Sequence, residues 1–320
     1  MKPLRRKLVA AALAAPLVAY AQATRVRKIG VLVPSPGYPD RYEALKAGLK
    51  EHGWVEGKNL AIEWRHAEAK YERMAALTQE LVQAGAEIVI TNSTPGVIQA
   101  RKATATVPII SAAFGDPVGR GLAASLARPG GNVTGISILF DGISAKLLEL
   151  AIATLPKMAR PAILYNSANP GSSSTEVNEF ALRQGLTPLL LGARTPPEVD
   201  AAFAEAIGQR CDALLALVDP FIVGQRVRIA QFGLQQRLPT FAQSAEFVES
   251  GFLASYGPDF RASFRRAGYY VDRVLKGAKP GDIPIEQTTA LELVINRKTA
   301  AAIGITIPQP IVVRASRLIE

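Results

Sequence analysis

The residues best placed to do chemistry in this 320-residue chain sit where apolar runs stop. Ile88, Val89 and Ile90 are followed by Thr91, Asn92, Ser93 and Thr94, and Pro95 then opens a helical pattern. A strand that ends in hydroxyls at a helix N-terminus can take an anion. Its free backbone N–H groups and the positive end of the helix dipole face outward, while Ser and Thr add donors without adding charge. The same residues also make an ordinary helix cap. Similar polar ends recur at Ser35 and Tyr38, at Phe114 with Asp116, at Tyr165 with Asn166, at Asp219 with Phe221, and at Gln243 through to Glu246. A solute carrying both a carboxylate and an ammonium group could rest the first on Ser93, Thr94 and the helix behind them. The second would need a carboxylate, and Asp116, Asp219 and Glu246 are the candidates. Asp116-Pro117 and Asp219-Pro220 are also common turn dipeptides. Tyr38, Phe114, Tyr165, Phe221 and Tyr256 offer flat faces on which a ring could stack.

Catalytic signatures are weak by comparison. No nucleophile-elbow pattern surrounds Ser144, Ser172, Ser173 or Ser174. His52 and His66 are the only histidines and lack metal-ligand spacing. The glycine-rich loops that cradle dinucleotides or nucleoside phosphates do not occur. Cys211 is the sole cysteine, so an internal disulfide is excluded, and its place before a strand signal points to burial. No catalytic residue, metal or cofactor is expected.

These groups need a scaffold that brings strand ends together. Residues 27–33, 60–64, 88–91 and 107–112 read as strands, separated by helical patterns over 41–52, 71–84 and 95–105, the order of a doubly wound parallel sheet. Pro129 to Gly135 is a break rich in Gly, Pro and Asn. A second alternating series follows, with strands expected over 161–165, 187–191, 213–218 and 239–241. The tail adds a strand at 252–256, a strong helix over 259–275, and a final strand and helix over 291–303. Two α/β lobes result, 24–135 with 247–286 and 136–246 with 287–320, joined by three crossings near Gly135, Glu246 and Gln287. Their strand ends would face each other across a cleft, the usual ligand position in open α/β sheets.

The first residues read differently. Lys2, Arg5, Arg6 and Lys7 precede an apolar run from Leu8 to Ala21, and Ala21-Gln22-Ala23 offers a small-residue cut site. This is the build of a secretory leader cleaved after Ala23. Losing its four positive charges would lower the formal balance from +10 to +6. No basic stripe interleaved with aromatics remains, so nucleic acid is not an expected partner.

The runs Lys28-Ile29-Gly30-Val31-Leu32, Gly57-Lys58-Asn59-Leu60, Gly115-Asp116-Pro117, Leu126 to Gly135 and Ser255-Tyr256-Gly257 resemble the ABC transporter substrate-binding family. The resemblance implies the type I periplasmic binding fold and a monomeric receptor in the periplasm. Such a receptor delivers a small solute, in several relatives an amino acid and sometimes an aromatic one, to an inner-membrane permease. An exported sensor or a hydrolase using the same cleft is the alternative reading.

Overall fold

The computed structural model describes residues 25–36, 39–138, 140–169, 172 and 174–320; Tyr38 and the expected leader lie outside the described residues. The first lobe is built from β1 (Arg27–Val33), α1 (Pro39–Glu51), β2 (Leu60–His66), a 3-10 turn (Tyr71–Arg73), α2 (Met74–Gln83), β3 (Ile88–Thr91), α3 (Thr94–Ala103), β4 (Ile109–Phe114) and β5 (Val133–Ser137). The second begins with α4 (Phe140–Thr154), β6 (Pro161–Tyr165), α5 (Ser174–Arg183), β7 (Leu189–Gly192), α6 (Pro196–Gly208) and β8 (Ala213–Ala216). It continues with α7 (Pro220–Gly224), α8 (Arg226–Gln235), β9 (Thr240–Ala242), α9 (Ala245–Glu249) and β10 (Ala254–Pro258). The chain returns to the first lobe for α10 (Phe260–Leu275) and β11 (Glu286–Gln287). It ends in the second with β12 (Leu291–Asn296), α11 (Arg297–Ile303), α12 (Gln309–Val313) and β13 (Arg317–Ile319).

Side-chain alternation along the strands explains the layering. Ile29, Val31 and Val33 of β1 enter one apolar cluster with α1 and α10, while Leu32 enters the opposite one with α2 and α3. Ile88 and Ile90 of β3 follow the first, and Val89 follows the second. In the second lobe, Leu214 and Ala216 of β8 face α6 to α9, whereas Ala213 and Leu215 face α4, α5, α11 and α12. Strands apolar on both faces can be satisfied only when helices cover both sides, so the sheets are buried and mainly parallel. The orders are β11-β5-β4-β3-β1-β2 and β13-β12-β10-β9-β8-β6-β7, with β10 and β12 antiparallel.

Two boundaries differ from the expected ones. Ile136 and Ser137 are still in β5, so the first crossing comes after Ser137 and not at Gly135. β10 pairs with β9 and β12, so it belongs to the second lobe. The second crossing therefore falls at Pro258 and Asp259, not near Glu246, because the few residues between α9 and β10 leave no length to reach the other sheet. The third lies between Gln287 and Leu291. Asp259 N–H donates to the Ala290 carbonyl at 3.1 Å, tying the second and third connectors together. Around them Ala113, Ile138, Ile143 and Phe260 form a small apolar cluster with Val218 and Tyr256.

Candidate functional site

The loops after β3, β6, β8 and β9 meet α1 and the start of α10 across a cavity between the lobes. Arg41, Asn92, Ser93, Thr94, Ala113 and Phe260 line it from the first lobe. Asn166, Asn169, Ser172, Leu217, Val218, Asp219, Pro220 and Gln243 line it from the second. Its volume is about 50 Å³.

On the first lobe, the turn after β3 is fixed before any solute arrives. Thr91 Oγ1 donates to the Leu32 carbonyl, and Ser93 N–H donates to the Ala113 carbonyl at 2.6 Å. Ser93 sits at φ 75° and ψ 147°, a backbone region that only glycine enters easily. Its Oγ accepts from Gly96 N–H at the α3 N-terminus, which leaves its own hydroxyl proton to donate elsewhere. Thr94 Oγ1 accepts from Gly115 N–H at 2.9 Å and so locks α3 to the end of β4. Asn92 is buried at the edge of the cavity, its Oδ1 3.5 Å from the Tyr42 hydroxyl.

Arg41 arrives on α1, where no local pattern marks it out. Helices α1 and α10 touch at backbone distance: a Cβ on Gly48 would lie 1.9 Å from the Arg265 carbonyl oxygen. That approach stacks the Arg41 guanidinium over the Phe260 ring at 3.9 Å. Arg41 is 2% exposed and pairs at 2.6 Å with Glu246 of the opposite lobe, with Ser244 Oγ at 3.3 Å. Burial alone would raise the Glu246 carboxyl, but the charge and hydrogen bond of Arg41 overcome it and hold it below the usual carboxylate range.

On the second lobe, Asp219 is the central acceptor. Its Oδ1 accepts from Asn166 Nδ2 and Phe221 N–H, both at 2.8 Å, and its Oδ2 from Asn169 Nδ2 at 2.7 Å and the Tyr71 hydroxyl at 2.6 Å. Burial pushes the Asp219 carboxyl up, against the pull of these donors. Gln243 fixes the floor, accepting from Val218 N–H and donating to Ser144 Oγ, each at 2.8 Å.

The structure brings six of the sequence candidates to the cavity, Asn92, Ser93, Thr94, Asn166, Asp219 and Gln243. Ser35 and Phe221 line a neighbouring recess in the cleft. The remaining candidates are corrected. Phe114 is fully buried in the core beneath the first sheet, because its side chain points to α3 and not to the strand end. Asp116 is exposed and accepts from Gly119 N–H, so it closes a turn. Glu246 spends its charge on Arg41. Tyr165 packs within the second lobe and Tyr256 both there and against the connector cluster, and neither lines the cavity. Arg41, Asn169, Ser172 and Phe260 were not singled out by sequence; Arg41 reads there as one more helical cation.

Among the described residues no group of three or more His, Cys, Asp and Glu is placed to hold a metal, and no helix is long and apolar enough to cross a membrane. The family profile described as ABC transporter substrate binding protein matches residues 28–319. A tyrosine-binding protein of Clostridioides difficile is 29% identical over 282 residues, 87% of this chain and 81% of that protein. Among solved structures, the ABC domain from Streptococcus pneumonia in complex with L-Trp superposes with a TM-score of 0.83 at 30% identity, covering 92% of this chain and 99% of the other. A conserved domain protein from Vibrio cholerae gives a TM-score of 0.84 at 28% identity, over 92% and 100%. With two α/β lobes, three crossings and a polar cavity between them, the chain belongs to the ABC transporter substrate-binding family and has the type I periplasmic binding fold.

Proposed function

We propose that this protein traps an amino acid, aromatic by preference, between its lobes by hinge closure and presents the closed form to an inner-membrane ABC permease. The observation that carries this reading is the distribution of charge in the cavity. Asp219 lies on one wall, and Arg41 with the α3 N-terminus lies on the other. A zwitterion satisfies both: its ammonium faces Asp219, and its carboxylate takes donors from Ser93, Thr94 and Arg41. Asn92 and Asn166 are then placed to fix its orientation. Phe260 and the apolar turn from Leu217 to Pro220 are the surfaces a ring would meet. The ligands named for the relatives, tyrosine and L-Trp, support the same class. Closure follows from the two-sided lining, since only the shut form offers all contacts and solute therefore draws the equilibrium toward it. We further infer that the leader exports the chain to the periplasm with a cut near Ala23, and that the receptor acts as a monomer.

The test is a thermal-shift panel of the amino acids, with Phe, Tyr and Trp first, joined to mass spectrometry of whatever co-purifies. A solute at a hundred times its Kd stabilises by about 2.7 kcal/mol. A rise in melting temperature with one or more amino acids supports the reading. No rise with any of them removes the ligand class and leaves the family untouched.

A further inference from the structure

Asp219 stands between two spaces. It lines the inner cavity, and beyond it lies a larger recess of about 630 Å³ whose lining includes Ser35, Glu68, Tyr71, Arg194 and Phe221. Asn166 borders both. Tyr71 belongs to the first lobe, where its buried ring packs with Met74, Leu77 and Val97. Asp219 belongs to the second, at the start of α7. Three of the donors to Asp219, namely Asn166, Asn169 and Phe221 N–H, lie in its own lobe and travel with it. The Tyr71 hydroxyl comes from the other lobe. It donates to Asp219 Oδ2 at 2.6 Å, a short hydrogen bond. Both partners are protein groups, so this bond forms whenever the lobes meet, whatever occupies the cavity.

We propose that Tyr71 and Asp219 form a cross-lobe clasp that biases the hinge toward the closed form, walls the inner cavity off from the outer recess, and makes Tyr71 a positioning residue for the solute site. Tyr71 acts through Asp219: its hydroxyl shares Oδ2 with Asn169, which holds the carboxylate plane at the angle the cavity requires. The closure part stands on this geometry alone, while the solute part rests on the amino-acid reading above.

The experiment compares Tyr71→Phe with the wild type by small-angle X-ray scattering, without added solute and with saturating L-tryptophan or L-tyrosine, and measures Kd by calorimetry. The control is Tyr270→Phe, which removes a hydroxyl that donates to the Pro284 carbonyl inside the first lobe. Tyr71→Phe is expected to enlarge the radius of gyration of the solute-free protein and to raise Kd about ten- to a hundredfold, the range for leaving a buried acceptor without its donor. Tyr270→Phe is expected to lower the melting temperature without moving the radius. A wild-type radius for solute-free Tyr71→Phe overturns the clasp whatever the affinities are. If neither amino acid binds the wild type, the amino-acid reading falls, and the clasp is judged on the solute-free radius.

Discussion

Removing Glu246 tests whether closure depends on the buried cross-lobe ion pair. In the structure the Arg41 side chain is 2% exposed and that of Glu246 11%, with 2.6 Å between Nε and Oε1. Truncation to alanine leaves a buried guanidinium beside Phe260 and Ser244 without its carboxylate. Breaking such a pair from one side is worth about 3–5 kcal/mol where the remaining charge stays buried. Here the partners lie on opposite lobes, so opening the hinge lets water reach Arg41 and relieves the penalty. The loss therefore falls on the closed form and on solute affinity, and far less on the folding of either lobe. At the lower end, about 3 kcal/mol, Glu246→Ala should raise Kd by about two orders of magnitude while shifting the melting temperature of the solute-free protein little. Calorimetric titration of both proteins with the amino acid that gives the largest thermal shift reads the first quantity, and melts without solute read the second. The contribution also has a predictable pH course. The folded carboxyl is held below its ordinary range, so the stabilisation is complete above that range and is lost only as pH falls through the depressed value. A Glu246→Ala variant with wild-type affinity would refute the closure role of the pair.

Three further outcomes follow from single positions. Ser93→Gly should melt no lower than the wild type, because glycine adopts φ 75° without strain and a glycine cap gives up only a few tenths of a kcal/mol, yet it should bind solute more weakly; a large fall in melting temperature would contradict this. Gly48→Val should destabilise the first lobe by several kcal/mol, since its Cβ would collide with the Arg265 backbone and force α1 from α10; unfolding curves that match the wild type would show that the helices can part freely. Burial, with the nearby charge of Asp259, pushes the Glu292 carboxyl up to about 6. A raised carboxyl stabilises the fold most below its unfolded value and loses that advantage as pH rises through about 6, so Glu292→Gln should raise the melting temperature at pH 7.5 and leave it nearly unchanged at pH 4.5. The gain should be on the order of 1–2 kcal/mol, and an equal gain at both pH values would exclude the charge as its cause.

The layered fold was legible because strands such as Ile88–Thr91 and Pro161–Tyr165 are apolar on both faces and alternate with helical periods. The ends of those strands also announced Asn92, Ser93, Thr94, Asn166 and Asp219, since a polar residue at such an end has few places to go except the cleft. What the pattern could not carry was direction. Phe114 and Asn92 both lie at strand ends of the first sheet, yet Phe114, past a register shift after Ser111, packs in the core on the side opposite Ile110 and Ala112, while Asn92 lines the cavity. Nor could it carry partners from remote elements. Arg41 is indistinguishable from a solvated helical cation until Gly48 lets α10 bring Phe260 beneath it. Tyr71 reads as a helix start, and its role depends on a lobe formed about 150 residues later, as the 148-residue separation from Asp219 shows. The second crossing was misplaced for the same kind of reason: nothing local distinguishes a strand that pairs with β9 from one that returns to the first sheet.

We propose that a zwitterionic amino acid lies between Asp219 and the α3 N-terminus. A crystal structure of the protein equilibrated with the amino acid that most raises its melting temperature measures this directly. Solute density is expected in the interlobe cavity, with the amino nitrogen at hydrogen-bond distance from the Asp219 carboxylate and the solute carboxylate on Ser93, Thr94 and Arg41. Density outside that cavity, or a solute carboxylate turned toward Asp219, would contradict it.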